Sequence, residues 1–328
     1  MPVGVFFDGF SSTAEMLDVC REAELAGATS LWFAQHMGYR EAMVWATAAA
    51  SVTRSATLVP TAISPYLWPP LPVAMAISTL GEFAQGRVIL NVSVGNILNL
   101  GESGVEPLKP IRIMREYVEV LRALWAGKPV AHEGELHKLR GAKMAFDQGR
   151  QYPIYIASTG PQMLKLAGEI ADGVLLSAGL TLASTRRCLA LAEAGVAAKE
   201  RAATALRKAS FINFNVSKDG AAATAAMLRK LAFLFRSRGH ADNIKSSNLA
   251  IDHQAIMDAH ARHDFDAAVR LLPEEAASVF AVAGTPTQCR DRLEAYLAVG
   301  LDEPIIEVSG NIEERRLALD VVREVARR

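Results

Sequence analysis

The segment YPIYIASTGPQMLKLAGEIADGVLLS, residues 152–177, contains a complete strand–helix–strand unit. Residues 154–157 and 174–176 are continuous apolar runs, which are typical of strands buried on both faces. Residues 162–170 between them have a helical pattern, and the turn 171–173 leads directly into the second strand. The segment therefore predicts two parallel strands joined by a right-handed helical crossover.

The same alternation extends along the whole chain. The predicted strands are 3–7, 30–34, 57–63, 88–94, 154–157, 174–176, 210–216 and 305–308. The predicted helices are 12–26, 41–54, 72–84, 111–125, 162–170, 183–203, 221–237 and 312–326. Eight units favour an α/β fold of the (β/α)8 TIM-barrel type over an open doubly wound sheet, and no GxGxxG motif follows the first strand.

Two segments interrupt this alternation. Residues 127–152 are extended and hairpin-like, whereas residues 239–275 are polar, contain histidines and favour helix. In a TIM barrel we expect such insertions in the βα-loops above the carboxyl ends of the strands, where active sites lie. Because no repeat or low-complexity linker divides the chain, we expect residues 1–328 to form a single domain.

Composition argues against several classes of function. Lys and Arg together number 35, as do Asp and Glu, and no basic run is present, so nucleic acid is not an expected partner. The longest apolar stretch, residues 44–52, is too short to span a bilayer, and the N-terminus does not have the pattern of a signal peptide. We therefore expect a cytoplasmic protein with no membrane attachment.

Neither a disulfide framework nor a metal site is expected. Cys20, Cys188 and Cys289 are far apart and form no CxxC pair, which fits reduced thiols in a cytosolic protein. His260 and His263 have helical i, i+3 spacing, but no HExxH motif or paired carboxylate accompanies them.

The stretch Ser158-Thr159-Gly160-Pro161 follows a strand and opens a helix. Pro161 suits the first helical position, Ser158 or Thr159 can cap the helix, and Gly160 allows a ligand to approach the backbone. Free N–H groups and the positive end of the helix dipole attract an anion. The stretch indicates either a phosphate site or an ordinary capped helix start.

Two other strand ends are candidates for ligand contact. Residues 60–70, PTAISPYLWPP, are proline-rich and fit either a rigid wall beside a flat ligand or a simple stiffened loop. The predicted strand 88–94 is followed by Gly95 and Asn96, where the backbone can approach a ligand and the amide can hydrogen-bond it. A plain turn would have the same pattern.

Asp8 and His36 follow the first two predicted strands, at the face where barrel enzymes place catalytic groups. A histidine can move protons near neutral pH, and an aspartate can act as acid, base or hydrogen-bond anchor. Both are candidate catalytic residues, although a polar residue at a strand end can equally be structural.

Taken together, these segments resemble the bacterial-luciferase-like superfamily of FMN-dependent monooxygenases and coenzyme F420-dependent oxidoreductases. They are most similar to its methylenetetrahydromethanopterin reductase-like branch. The matching stretches are 27–42, 57–66, 80–96, 114–127, 152–177 and 283–308. The resemblance implies a (β/α)8 barrel that holds F420 or FMN at the carboxyl ends of its strands, with NAD(P)H as a candidate reductant.

The resemblance also implies roles for individual residues. The stretch 158–161 would bind the cofactor phosphate, in agreement with the helix-terminus argument. Thr61-Ala62 would carry a non-prolyl cis peptide bond that supports the isoalloxazine ring. Asn96 and Ser177 match positions near the ring or its side chain, and His36 matches a histidine near the reactive part of the cofactor.

The chain departs from the family pattern on the substrate side. Gln35 precedes His36 where F420 enzymes commonly have aspartate, and Phe6 stands where the methanopterin reductases have a glutamate. Residues 67–69, Leu-Trp-Pro, replace an Arg-His pair. These changes keep the implied cofactor site but remove polar groups from the implied substrate site.

The expected function is hydride transfer between F420 or FMN and a small organic substrate, or monooxygenation of such a substrate. One alternative is a flavin-independent, nicotinamide-dependent reductase of a pterin-type substrate, against which the missing first-strand glutamate argues. Another is a non-catalytic barrel that retains the binding pocket.

Helices 41–54 and 72–84 are apolar around most of their circumference. The outer helices of a barrel should present one polar face to water, so this pattern indicates contact with a second subunit. Small residues such as Ala46, Ala49 and Ala74 would allow close helix packing. We expect a homodimer that associates through these two helices.

Overall fold

The computed structural model describes the backbone of residues 1–328 and every side chain except that of Leu98. Its strands are β1 Gly4–Phe7, β2 Ser30–Ala34, β3 Thr57–Thr61, β4 Leu90–Val92, β5 Val130–Glu133, β6 Lys138–Ala142, β7 Ile154–Ala157, β8 Gly173–Leu176, β9 Arg207–Ile212, β10 Phe214–Val216, β11 Val282–Gly284 and β12 Glu303–Glu307.

The helices connect these strands and cover the outside of the sheet. They are α1 Thr13–Ala26, α2 Ala42–Ala50, α3 Pro70–Phe83, α4 Ile97–Glu102, α5 Pro110–Trp125, α6 Pro161–Ile170, α7 Leu182–Ala198, α8 Gly220–Leu234, α9 Ala241–Lys245, α10 His253–Ala261, α11 Phe265–Arg270, α12 Ala276–Phe280, α13 Pro286–Ala298 and α14 Ile312–Ala326. Among the residues described, no helix is both long and apolar enough to cross a membrane.

Eight strands form one parallel sheet in the order β3-β2-β1-β12-β9-β8-β7-β4. Single parallel bridges from Leu58 to Val88 and from Ile63 to Val92 join the two outermost strands, so the sheet curves into a nearly closed barrel. Each of these eight strands overlaps one of the strands predicted from the sequence. The predicted (β/α)8 TIM-barrel fold is confirmed.

The strands are buried on both faces, which explains their continuous apolar sequences. One face packs against the outer helices in the main hydrophobic core. The other face fills the barrel interior with one buried side chain from each of six strands: Trp32, Val59, Tyr155, Leu175, Ala209 and Ile305.

The ends of α1 show how local sequence fixes the first crossover. Ser12 is the N-cap, and its hydroxyl accepts a hydrogen bond from the Glu15 N–H at 3.2 Å. Gly27 follows the helix with a φ of 100°, a left-handed conformation that favours glycine. Both boundaries agree with the sequence pattern.

The predicted strand 210–216 is wrong as a single element. β9 ends at Ile212, and β10 begins at Phe214 and pairs with β11 outside the barrel. The change of partner occurs at Asn213, whose carbonyl oxygen accepts a hydrogen bond from the Val282 N–H at 2.9 Å. The chain leaves the barrel sheet at this residue because its backbone pairs with a segment about seventy residues later.

Several helices differ from their predicted extents. The helices predicted at 41–54, 183–203 and 221–237 end earlier, at Ala50, Ala198 and Leu234. After α2 the hydroxyls of Ser51 and Thr53 bond to the carbonyls of Ala48 and Ala49, which competes with continuation of the helix. α13 was not predicted, although Thr285 and Gln288 form a capping box at its start.

The segment 127–152 contains the antiparallel hairpin β5–β6. The segment 239–275 contains α9, α10 and α11, which pack with α8 and α12 in a second hydrophobic cluster. This second cluster is centred on Met227, Leu231, Phe235, Ile256 and Phe280.

Candidate functional site

A cavity of about 270 Å³ lies at the carboxyl ends of the barrel strands. This is the face where TIM-barrel enzymes bind their ligands. Six of the residues singled out from the sequence line it together: His36, Thr61, Ala62, Gly95, Asn96 and Ser177. Asp8 and residues 158–161 are not part of this lining.

Aromatic and aliphatic side chains form much of the rest of the cavity. Phe6 and Phe211 lie against each other with ring centroids 4.6 Å apart, and Leu67, Trp68 and Leu100 also line the space. Sequence analysis missed Phe211 as a site residue. Its position two residues after the interior residue Ala209 places it on the inward face of β9, and strand alternation could have indicated this.

The backbone between Thr61 and Ala62 forms a non-prolyl cis peptide bond, as the family resemblance implies. The Thr61 hydroxyl donates a hydrogen bond to Asn91 Oδ1 at 2.8 Å, and both residues are buried. The Thr61 carbonyl oxygen accepts from the Gln35 N–H at 2.5 Å. These bonds hold the Thr61-Ala62 backbone in place at the cavity surface.

Gly95 turns the chain after β4 with a φ of 104°, where a residue with a side chain is strained. Its N–H donates to the Ser93 hydroxyl at 3.1 Å. The turn places the Gly95 backbone and the exposed Asn96 at the cavity, as the sequence suggested.

His36 and Asp8 are connected through the backbone. His36 Nδ1 lies 2.8 Å from the Asp8 carbonyl oxygen. A carbonyl oxygen only accepts, so Nδ1 carries the proton and Nε2 of the neutral ring remains free to accept one. The Asp8 carboxylate accepts a hydrogen bond from the Phe10 N–H at 2.8 Å. Burial, with a smaller contribution from Glu307, nevertheless raises the pKa of Asp8 above its ordinary value.

Glu307 and Lys230 are polar neighbours of this region that sequence analysis missed. Glu307 ends β12 and is in register with Phe6 of β1, and its carboxylate forms an ion pair with Lys230 of α8. The strand-end argument that selected Asp8 and His36 applies equally to Glu307 and could have identified it. No local signal in the sequence marks Lys230.

The start of α6 differs from its predicted capping. Gly160 is the N-cap, and among the described residues no side chain caps this helix. The predicted cap from Ser158 or Thr159 is wrong, because the Ser158 hydroxyl instead accepts from the Gly160 N–H at 3.0 Å. The exposed first turn therefore leaves backbone N–H groups available to an anion, next to the cavity-lining Ala157.

The family model of the luciferase-like monooxygenases matches residues 1–303, and the chain belongs to this family. It is thus an oxidoreductase of the luciferase-like class, as the sequence predicted, and its relatives include F420-dependent enzymes.

Individual relatives agree with this assignment. The 5,10-methylenetetrahydromethanopterin reductase of Archaeoglobus fulgidus is 29% identical over 86% of each chain. The F420-dependent glucose-6-phosphate dehydrogenase of Kineococcus radiotolerans is 27% identical over 94% of this chain and 93% of its own. The solved structure of the F420-dependent tetrahydromethanopterin reductase of Methanopyrus kandleri has a TM-score of 0.89 at 25% identity, covering 98% of this chain and 97% of its own.

Proposed function

We propose that this oxidoreductase binds F420 or FMN in the cavity at the strand ends and acts on a small organic substrate by hydride transfer or monooxygenation. The observation that carries the proposal is the juxtaposition of the Thr61–Ala62 backbone, inside the cavity, with the uncapped start of α6 beside it. One feature offers a surface for a flat ring, and the other offers N–H groups for a phosphate.

The residues present fit such a cofactor. Thr61, Ala62, Gly95 and Asn96 would hold its ring system, with Ser177 near the ring or its side chain. Residues 158–161 would hold its phosphate. When bound, the cofactor supplies the hydride chemistry, and the protein supplies orientation and electrostatics.

We assign the proton chemistry to His36 and Asp8. His36 lines the cavity, and its Nδ1 bond to the Asp8 carbonyl leaves Nε2 to exchange a proton with the bound reactants. Asp8 lies beside it, and burial raises the pKa of its carboxyl group, so this group keeps its proton to a higher pH than a solvent-exposed carboxyl does. The apolar side chains of Phe6, Phe211 and Trp68 line the cavity and would limit the contact of bound reactants with water.

Titration of the purified protein with FMN and with F420, followed by cofactor fluorescence, tests this proposal. We expect one of them to bind at micromolar concentration and its phosphate-free chromophore to bind more weakly. Gly160→Asp places a carboxylate at the α6 start without backbone strain, because φ of Gly160 is −76°. It should weaken binding of the phosphorylated cofactor but not of the phosphate-free form. Absence of binding by both cofactors at high micromolar concentration would contradict the proposal.

We further propose that the chain forms a single domain and that the protein is a cytoplasmic homodimer. Val44 on α2 and Phe83 on α3 are 66% and 60% exposed, and they border a shallow groove that is mostly apolar. Exposed apolar groups of this size on adjacent helices support association of two copies through α2 and α3.

A further inference from the structure

One wall of the cavity is a short irregular segment, residues 64–68. Ser64, Leu67 and Trp68 line the cavity, and the N–H groups of Leu67 and Trp68 both donate to the Ser64 carbonyl oxygen. The Ser64 hydroxyl donates to the Val94 carbonyl oxygen at 2.7 Å. Because the segment belongs to no strand or long helix, its position depends on contacts from neighbouring elements.

Three of those contacts lead away from the barrel, to the β5–β6 hairpin, to α5 and to the loop that precedes α5. His137 Nε2 lies 2.8 Å from the Pro65 carbonyl oxygen. The Tyr117 hydroxyl donates to the Trp68 carbonyl oxygen at 2.9 Å, and the Tyr66 hydroxyl donates to the Leu108 carbonyl oxygen at 2.7 Å. The His137 and Tyr117 rings are themselves neighbours, with centroids 5.7 Å apart.

We infer that His137 is a positioning residue of the cavity. Through the His137–Pro65 hydrogen bond, the β5–β6 hairpin holds residues 64–68 in place. The identity of the ligand that contacts Leu67 and Trp68 rests on the proposed function, whereas this role of the hairpin does not. In sequence the hairpin and the proline-rich segment are separate features, about seventy residues apart, and the structure joins them.

The hairpin is itself held in place by contacts with α5. Glu116 of α5 accepts a hydrogen bond from the Glu135 N–H at 2.9 Å in the hairpin turn. Lys109 and Arg112, at the start of α5, both form ion pairs with the Glu135 carboxylate, the first at 2.7 Å. His137 is two residues after Glu135 in the same hairpin turn, so its ring is carried by a segment that is tied to a long helix.

The His137 ring is suited to act as a constant hydrogen-bond donor to the Pro65 carbonyl oxygen. Burial lowers the pKa of His137, so the ring is neutral at physiological pH. Since the Pro65 carbonyl oxygen only accepts, Nε2 carries the proton and donates it. Replacement by phenylalanine keeps the volume and removes the donor, whereas replacement by glutamine keeps an N–H at comparable reach.

The experiment compares His137→Phe, His137→Gln and His132→Phe. His132 is in the same hairpin, with its Nε2 3.9 Å from Glu116. Among the residues that the structure describes, His132 forms no hydrogen bond with residues 64–68, so it is the matched control. The readouts are hydrogen exchange of the 64–68 amides in the cofactor-free protein, and the visible spectrum and affinity of bound FMN or F420.

We expect His137→Phe to speed exchange of the Leu67 and Trp68 amides about tenfold or more, as loss of a buried hydrogen-bond partner implies. The spectrum of the bound cofactor should change with it. His137→Gln should restore both properties, and His132→Phe should leave both unchanged. Tyr117→Phe, which removes only the hydroxyl that holds Trp68, should also speed exchange in this segment and provides a second variant if His137→Phe does not fold.

Unchanged exchange in a folded His137→Phe would overturn the inference, and unchanged exchange in Tyr117→Phe would do so if His137→Phe does not fold. The inference would also be overturned if His137→Phe sped exchange throughout the protein and His137→Gln did not return exchange to the wild-type rate. Because exchange is measured without cofactor, the inference survives if neither FMN nor F420 binds the wild-type protein. Failure of both cofactors to bind the wild-type protein would instead contradict the proposed function.

Discussion

The imidazole Nδ1 of His36 lies 2.8 Å from the main-chain oxygen of Asp8, so the ends of β1 and β2 are linked directly at the mouth of the cavity. The bond orients the ring and fixes which nitrogen carries its proton. It also joins the two candidate catalytic residues into one unit, because a shift of the β1 end would move both.

Replacement of His36 tests its role as the proton-transfer group. We expect His36→Ala to lower turnover of any substrate that the wild-type enzyme accepts by about 100-fold or more, the range typical of lost acid–base catalysis. Cofactor affinity should change much less. Steady-state turnover and cofactor titration separate the two effects. His263→Asn, at an exposed left-handed residue of the 239–275 segment, is the control and should be neutral. Full turnover in His36→Ala would contradict the assignment.

The stability of the protein should respond to Asp8 in a pH-dependent way. The pKa of Asp8 is raised, mainly by burial, so the folded state favours the protonated carboxyl, and its ionisation costs stability as pH rises above 3.8. The side-chain amide introduced by Asp8→Asn cannot ionise and can still accept from the Phe10 N–H. We therefore expect this variant to be at least as stable as wild type at pH 7, with no difference below pH 3.8. Thermal unfolding across pH 3 to 7 measures this, and a less stable variant at pH 7 would contradict it.

The pKa of Glu24 is shifted in the opposite direction from that of Asp8, so the two residues should affect the pH dependence of stability with opposite signs. Burial alone would raise the pKa of Glu24, but hydrogen bonds from the N–H groups of Ala56, Ser55 and Arg54 outweigh it, and the pKa is lowered. Its carboxylate therefore stabilises the folded state above pH 4.5, and this contribution is lost as pH falls through the folded pKa. Glu24→Gln should unfold more easily than wild type at pH 7, by about 1 kcal/mol or more, with the difference disappearing in acid. Equal stability at pH 7 would contradict this.

The packing of α6 on α7 depends on two glycines, Gly168 and Gly195. A Cβ on Gly168 would lie 1.9 Å from the Ala192 carbonyl oxygen, which is a backbone atom that cannot move aside. We expect Gly168→Ala to lower the free energy of unfolding by about 1–3 kcal/mol or more, measured by denaturant titration. Gly101 of α4 has open space around its Cβ position, so Gly101→Ala is the control and should be neutral or stabilising. Equal effects of the two substitutions would contradict the close approach of α6 and α7.

The fold was predictable from sequence because each barrel strand is a local apolar run. β7, for example, has the predicted bounds of 154–157 and β2 those of 30–34. The error at Asn213 has a different origin. Whether the chain after Ile212 continues in the barrel or pairs with β11 depends on Val282, far away in sequence, and no local pattern contains that information.

The candidate site was predictable to a lesser degree. Strand-end polar residues and turn glycines, such as His36 and Gly95, were found because position along a strand is local information. The ion pair of Glu307 with Lys230 and the bond between His137 and Pro65 join segments that are distant in sequence. Only the three-dimensional arrangement shows which of the many charged or histidine residues lie near the cavity.

The proposed dimer makes a prediction for two exposed apolar residues. We expect the wild-type protein to be a dimer at micromolar concentration by light scattering, and the double substitution Val44→Glu and Phe83→Glu to give a monomer, because buried carboxylates in an apolar interface are costly. Leu25 on α1 is 84% exposed and outside the proposed interface, so Leu25→Glu is the control and should stay dimeric. A monomeric wild-type protein would contradict the prediction.

The most direct test of the cofactor site is a crystal structure of the protein loaded with FMN or F420. We expect the ring system to lie in the cavity against the Thr61–Ala62 peptide. The phosphate should lie within hydrogen-bonding distance of the backbone N–H groups of the first turn of α6, next to residues 158–161. A cofactor bound outside this cavity, or a phosphate with no contact to the start of α6, would contradict the proposed site.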